Sequence, residues 1–228
     1  MKILCIADHK DPIVYSSHAK HRFHDIDLIL GAGDLDLEYY GFIVSSLNKP
    51  LLFVFGNHNL KRISFFNRKY RQELGKPIDS DNPFGNSFGS TYIGGKVARQ
   101  NGLLIAGLGG SRKYNQGINQ YSERQMFMQI VKIWPQLLWN RIFRGRYVDI
   151  LLTHAAPSGI GDRDDLCHTG FKMFLKFMKW FRPRYLIHGH IHLYDMNAER
   201  EHQYLDTKII NAYNHYVFDL EVDGEQPV

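Results

Sequence analysis

The sequence predicts an α/β protein. Short apolar runs alternate with longer amphipathic stretches, which is the βαβ pattern. Five of the runs end in a polar cluster, where strands of an α/β sheet place their sites. The clusters are Ala7-Asp8-His9, Gly33-Asp34, Gly56-Asn57-His58, Thr153-His154 and His188-Gly189-His190-Ile191-His192. The runs that feed them, 3–7, 28–30, 51–55, 150–152 and 185–187, are aliphatic or aromatic at nearly every position. Strands without a polar face are covered on both sides.

Taken in order, a strand over 2–7 leads to a helical stretch over 14–23, and a strand over 28–30 to a helix over 37–47. After the strand at 51–55, residues 79–95 are rich in Gly, Asn, Ser and Pro and read as loop or short hairpins. A strand over 103–108 stops at Gly107-Leu108-Gly109-Gly110. A long amphipathic segment runs from Ser122, a candidate N-cap, to about Phe143, with Pro135 placed to kink or split it. A strand over 148–153 delivers His154, a helix over 171–181 ends before Pro183, and a strand over 185–187 delivers the paired histidines. The tail, 208–211 and 216–221, reads as two antiparallel strands closing a sheet. There is no internal repeat and no low-complexity segment.

A chain of 228 residues suits a single domain over 1–228, and 44% hydrophobic with 14% aromatic residues excludes a disordered chain. Cys5 and Cys167 are far apart and outside any CxxC pair, so no disulfide framework follows. No charged-then-apolar leader precedes the first strand, and no apolar run reaches the ~20 residues a membrane span needs; the expected location is the cytoplasm. The net charge of +5 favours anionic partners such as phosphate esters, although the basic residues are scattered over 61–62, 68–71, 141–146 and 179–184. A solvated basic surface is the alternative.

Carboxylate, amide and imidazole groups gathered at strand ends describe a metal-binding hydrolase site. His190 and His192 are two apart and share a face on an extended backbone, where they can address two adjacent metals. Nucleophilic alternatives have no footing: there is no G-x-S-x-G, no Walker loop and no Cys–His signature at either cysteine.

From Asp8 to His192 the clusters resemble the calcineurin-like metallophosphoesterase superfamily, whose pattern runs D-x-H, G-D, G-N-H-[DE], a lone His, then G-H-x-H. The resemblance implies a sandwich of two mixed β-sheets packed face to face and flanked by helices. It also implies one or two divalent ions (Mn, Fe, Ni, Co or Zn) and hydrolysis of phosphate esters by metal-activated water. Phosphodiesters are favoured over monoesters, because a chain this small has no room for a large specificity cap. Asp34 becomes the carboxylate that bridges a dinuclear site, Asn57, His154 and His190 complete one metal position, and Asp8 and His192 serve the other. His58 becomes the histidine that assists phosphoryl chemistry, as an acid for the leaving oxygen or as a donor to the phosphorane-like transition state.

Two positions depart from the pattern. Lys10 stands where the family has a histidine, and an ammonium is no ligand. The leading consequence is a weaker first metal; the others are a single-metal site, or Lys10 as a fixed charge against substrate phosphate. His9 points to the opposite face if the backbone stays extended, and Asp11 could bend back as a substitute. Asn59 replaces the family acid; an amide can still accept the His58 ring N–H but stabilises imidazolium less than a carboxylate, so the proton-donor role is expected to be weaker or served by another acid.

Substrate contacts are expected from two loops. In 107–114, glycine N–H groups and Arg112 or Lys113 would meet an anion. Residues 159–168 resemble a variable active-site loop of some bacterial metallophosphoesterases, with Asp162 and His168 as contacts; the alternative is an Asp-rich cap on the next helix. The expected partner is a small phosphate ester or nucleotide. A non-catalytic interaction module on the same fold is the rival reading, since losses at positions 10 and 59 are steps toward it. A nuclease is less favoured, because no aromatic and basic stripe is evident.

Overall fold

The computed structural model describes residues 1–67, 69–70, 87–195 and 197–220. Arg68 and Arg71 of one basic cluster, residues 79–86 of the expected loop and Glu221 of the last strand lie outside the described residues. In chain order the elements are β1 (Lys2–Ala7), α1 (Ala19–Arg22), β2 (Leu28–Gly31), α2 (Leu37–Leu47), β3 (Leu51–Phe53), α3 (Ile63–Phe66), β4 (Thr91–Tyr92), β5 (Lys96–Gln100) and β6 (Leu103–Leu108). There follow β7 (Ser111–Arg112), β8 (Gln120–Tyr121), α4 (Glu123–Arg144), β9 (Ile150–Thr153), α5 (Lys172–Phe181), β10 (Tyr185–His188), β11 (Glu201–Tyr204), β12 (Thr207–Asn211) and β13 (Asn214–Asp219).

β1 shows why its run is apolar throughout. Ile3, Cys5 and Ala7 enter a core shared by two sheets, while Leu4 and Ile6 enter the core under α2. One sheet has the order β13-β1-β2-β3-β4, parallel except for β13, and the other β11-β12-β10-β9-β6-β5, parallel from β12 to β6. Leu28, Leu30 and Leu52 of the first meet Ile105, Ile150, Leu152, Ile187 and Ile210 of the second. Outside the second sheet, Ile130 and Leu137 of α4 and Phe174 and Phe177 of α5 pack on Leu151, Leu186 and Ile209. The result is the expected pair of mixed sheets face to face, flanked by helices. The C-terminal ends of β1, β2, β3, β9 and β10 meet along one edge of this sandwich.

The differences from expectation have local causes. Only Ala19–Arg22 of the stretch 14–23 is helical, because the Asp11 carboxylate takes the Ile13 N–H at 2.8 Å and holds the preceding residues in turns. Pro135 does not split α4; it lies inside the helix on its exposed side. Ser122 does cap α4, in a capping box with Gln125. β5 and β6 form a hairpin through Asn101-Gly102, both at positive φ, the Asn-Gly signal of a two-residue turn. The tail strands are not partners: β13 pairs antiparallel with β1, and β12 lies parallel to β10 in the other sheet and antiparallel to β11. Ala212 and Tyr213 carry the chain between the sheets.

Phe174 is fully buried between α5 and the second sheet. Phe174→Ala is expected to lower unfolding free energy by about 3–5 kcal/mol in urea denaturation; a loss under about 1 kcal/mol would contradict this packing.

Candidate metal centre

β1 and β2 end side by side, with the Asp8 N–H donating to the Gly33 carbonyl at 3.1 Å. Each strand then turns sharply: Asp8 has φ 65° and Asp34 φ 58°, and His190 beyond β10 has φ 68°. Left-handed conformations at such residues cost on the order of 1–3 kcal/mol each and persist where the surroundings fix them. The Asp34 turn is fixed from the Gly56-Asn57-His58 segment: the His58 N–H donates to Asp34 Oδ1 and the Asn59 amide to the Asp34 carbonyl, both at 2.8 Å. A Cβ on Gly56 would collide with Asp34 Oδ1, so only glycine allows this approach.

His154, fully buried after β9, reaches across to the first sheet. Its Nδ1–H donates to the Ala32 carbonyl at 2.8 Å, which leaves Nε2 facing Asn57 Oδ1 at 3.1 Å and Asp34 Oδ2 at 3.3 Å. Asn57 presents its oxygen because its Nδ2 donates to the Tyr114 hydroxyl at 3.2 Å. Asn119 steadies the same turn by donating to the carbonyl of Gly56 at 2.6 Å and of Phe55 at 3.2 Å. The His190 Nε2–H donates to the Cys167 carbonyl at 2.6 Å, leaving Nδ1 as its lone-pair nitrogen. Asp34, His154 and His190 each offer a ligand atom within 4.8 Å of the others.

The electrostatics fit a cation here. Burial alone would lower the His154 pKa, but the Asp34 charge and hydrogen bond, helped by Asp8, raise it to about 9. Burial would likewise raise that of Asp34, yet His154 and the His58 N–H hold it at about 2. Protonated at Nε2, His154 donates toward Asn57 Oδ1 and Asp34 Oδ2, the two oxygens that would share a metal ion with it once that proton is lost. Burial and the His154 charge push His190 down to about 3, so its ring stays neutral and able to ligate. One carboxylate, one amide oxygen and two imidazoles form a donor set that borderline divalent metals accept.

The second ligand set is less compact. Asp8 accepts the His190 N–H on both oxygens, at 2.9 and 3.0 Å, and burial with the nearby Asp34 charge raises its pKa to about 7. The His192 ring stacks on Tyr213 at 5.0 Å and its Nδ1 pairs with the Tyr194 hydroxyl at 2.9 Å. Among the described residues, Asp8, Asp34 and His192 do not bring three ligand atoms within 4.8 Å of one another. The same-face expectation for His190 and His192 assumed an extended backbone. A tight turn, with the Ile191 N–H on the Gly189 carbonyl and His190 at positive φ, replaces it.

Several other expectations are corrected. The turn at Asp8 puts His9 on the wall of a cleft of about 230 Å³, with Asp8, Lys10, Asp34, Leu35, Asp36 and Asn59. Lys10 is on that wall too, its Nζ 2.8 Å from Asp36 Oδ2. Asp11 does not bend back, being paired with His215 Nδ1 at 2.6 Å. Asn59 donates through Nδ2 to the Asp34 carbonyl, and among the described residues no hydrogen bond joins its Oδ1 to the exposed His58 ring.

Residues 110–114 do not cradle an anion with their backbone, since the Gly110, Ser111, Lys113 and Tyr114 N–H groups go to Phe55, Asn119, Tyr121 and Gln120. Arg112 lies half-buried in β7, and its guanidinium has no hydrogen-bonding partner among the described residues. In the 159–168 loop, Asp162 staples Gly159 and Gly170, while Arg163 donates to the His192 carbonyl at 2.6 Å. The helix that follows is capped by Glu123, which accepts the Lys172 and Met173 N–H groups, not by the Asp-rich loop. His168 pairs with Asp165 at 2.9 Å, its ring 5.2 Å from that of His190. Sequence reading missed Tyr114, Asn119 and the Ala32 and Cys167 carbonyls. Carbonyls carry no side-chain signal, and the two side chains act on segments more than 50 residues away.

The family model for calcineurin-like phosphoesterases matches residues 1–194. The chain belongs to this family. Metal-dependent phosphoester hydrolysis is the general chemistry of calcineurin-like phosphoesterases. Among solved structures the chain is similar to TT1561 of Thermus thermophilus, with TM-score 0.60, 12% identity and coverage of 93% of this chain and 89% of that one. Another solved chain has TM-score 0.61 at 13% identity, over 96% of this chain and 94% of its own. At such identities these likenesses speak to the fold alone. No curated protein matches the chain.

Because His154 holds a proton up to about pH 9 and Asp8 up to about pH 7, metal binding must displace protons. Calorimetry of Mn²⁺ binding in buffers of different ionisation enthalpy is expected to show about one proton released per ion at pH 8 and more at pH 6. Affinity should rise with pH until about 9. Equal affinity and no proton release at pH 6 and 8 would count against the cluster as the binding site.

Proposed function

We propose that this chain is a single-domain, metal-dependent phosphodiesterase acting on a small phosphate ester or nucleotide in the cytoplasm. The observation that carries the reading is the convergence of Asp34, Asn57, His154 and His190 in one buried cluster beside the exposed ring of His58. Family membership supplies the reaction class.

Asp34, Asn57, His154 and His190 would hold the principal ion; Asp8 and His192, with Asp34, would hold a second more weakly. A divalent cation in such a site supplies Lewis acidity toward phosphoryl oxygens and activates water. The chain's own groups do the rest. Tyr114, Ala32 and Cys167 fix the orientation of Asn57, His154 and His190, so that the ligand atoms are presented before anything binds. As a water oxygen bonds to phosphorus and gives one proton to solvent, the ester P–O bond breaks and His58 gives its ring proton to the departing oxygen, which leaves as the alcohol. Lys10, anchored by Asp36 on the cleft wall, offers a positive charge to a substrate phosphate, and Arg112 and His168 are further candidate contacts. The open cleft leaves room for a second ester substituent, in keeping with diesters.

Bis-p-nitrophenyl phosphate and p-nitrophenyl phosphate, offered to metal-stripped protein with Mn, Ni, Co, Zn or Mg returned, are expected to show metal-dependent turnover that is faster on the diester. His58→Ala is expected to lower kcat by about 100-fold or more while metal stoichiometry stays constant. Asp34→Ala should abolish both turnover and tight metal binding. Lys10→Ala is expected to raise KM several-fold with a smaller effect on kcat. No turnover with any metal, in protein that binds one, would replace this reading with the interaction module.

A further inference from the structure

α4 is apolar on two opposite faces. Met126, Ile130, Ile133 and Leu137 enter the core against the second sheet, whereas Phe127, Val131, Leu138, Trp139, Ile142 and Phe143 face outward. Ile142 is 74% exposed, Phe143 62% and Trp139 58%, and the rings of the last two stand 4.1 Å apart. An outer helix normally turns polar residues to solvent, and contiguous exposed apolar surface marks an interaction site.

The charge around this face is one-sided. Segments 123–148 and 172–184, which are α4, α5 and the turns that follow them, carry ten of the 28 Lys and Arg and, of the 23 Asp and Glu, only Glu123 at the far end of α4. The remainder of the chain is therefore net acidic. Between the helix ends lies a cavity of about 470 Å³ whose wall includes Arg141, Arg146, Lys179, Trp180 and Arg182. Arg146 is committed to Asp149 and the Gly102 carbonyl, but Arg144, Lys179 and Arg182 have no acidic partner among the described residues.

We propose that this outer face of α4 and α5 docks on an anionic lipid bilayer. Trp139, Ile142 and Phe143 lie at the boundary between headgroups and acyl chains, and Arg144, Lys179 and Arg182 meet lipid phosphates. One partner must supply both a dense negative charge and an apolar layer. A nucleic acid lacks the apolar layer that Ile142 and Phe143 call for, and a second copy would bring like charge against like. An anionic leaflet supplies both: the exposed apolar side chains near the end of α4 meet its apolar layer, and the basic groups flanking them at the ends of α4 and α5 meet its phosphates. The C-terminal ends of α4 and α5 lead into the starts of β9 and β10, the ends of those strands opposite His154 and His190, so the basic end of the docking face is remote from the candidate metal centre. The proposal stands independently of the hydrolysis reading.

The test is sedimentation of the full chain with vesicles of phosphatidylcholine and phosphatidylglycerol, with pure phosphatidylcholine vesicles as the control. Binding to the anionic vesicles only is expected, with a blue shift of tryptophan emission and weakening by added salt. Arg144→Glu with Lys179→Glu should reduce partitioning about tenfold or more. Ile142→Ser with Phe143→Ser should remove the blue shift, both variants keeping the wild-type circular dichroism. If the charge variant misfolds, the salt titration of the wild type reads the same contribution. Absence of binding to anionic vesicles, equal binding to neutral ones, or full binding by both folded variants would overturn the proposal. So would a wild-type chain that does not bind vesicles but dimerises through Phe143.

Discussion

A carboxylate and an imidazole shut between two sheets set the terms for the rest of this molecule. Asp34 leaves the end of β2 and His154 the end of β9, so their ion pair joins one sheet to the other where both would otherwise stop. His154 is fully buried and also donates to the Ala32 carbonyl, so neither ring nitrogen is wasted. An isolated charge here would be strongly disfavoured, and each partner is tolerable only because the other is in place. The glycines at 33 and 56 follow from the same demand. A Cβ at Gly33 would lie 2.6 Å from His154 Nδ1, and one at Gly56 would strike the Asp34 carboxylate.

Around that pair the backbone is bent at each contributing strand end. Asp8, Asp34 and His190 all occupy the left-handed region, an arrangement that the body of the strands avoids. Bending lets side chains from strands in two sheets point at a common centre, which straight strand continuations would miss. The cost is offset by bonds made at the bends: Asn59 and His58 onto Asp34, and the His190 N–H onto Asp8. It also explains the asymmetry between the two ligand sets. The same bend at His190 that aims its ring at Asp34 sends His192 toward Tyr194 and Tyr213.

Two loops far apart in sequence complete the centre without entering it as ligands. The segment from Gly107 to Tyr121 presents Tyr114 and Asn119 to the Gly56-Asn57 turn, and its backbone donors are used to hold its own shape. The segment from Gly159 to His168 gives the Cys167 carbonyl to His190 and Arg163 to the His192 backbone. Orientation of ligands by such partners is what separates a preorganised site from side chains that are merely nearby.

The α/β class, the strand ends that carry Asp8, Asp34, Asn57, His154 and His190, the bounds of α2 and the cap at Ser122 were legible in the sequence. Apolar runs, polar punctuation and capping chemistry are local signals, and local energetics select those features. The sequence read alone could not decide whether His192 joins its neighbour, where His9 and Lys10 face, what Asn59 holds, or which sheet receives β12 and β13. Each of those depends on a backbone turn or a pairing partner set by contacts across the fold. A period-two alternation argument fails once φ becomes positive at Asp8 and His190. Residue types at strand ends fix which atoms can ligate, and only the packing of one sheet on the other decides which of them arrive at the same point.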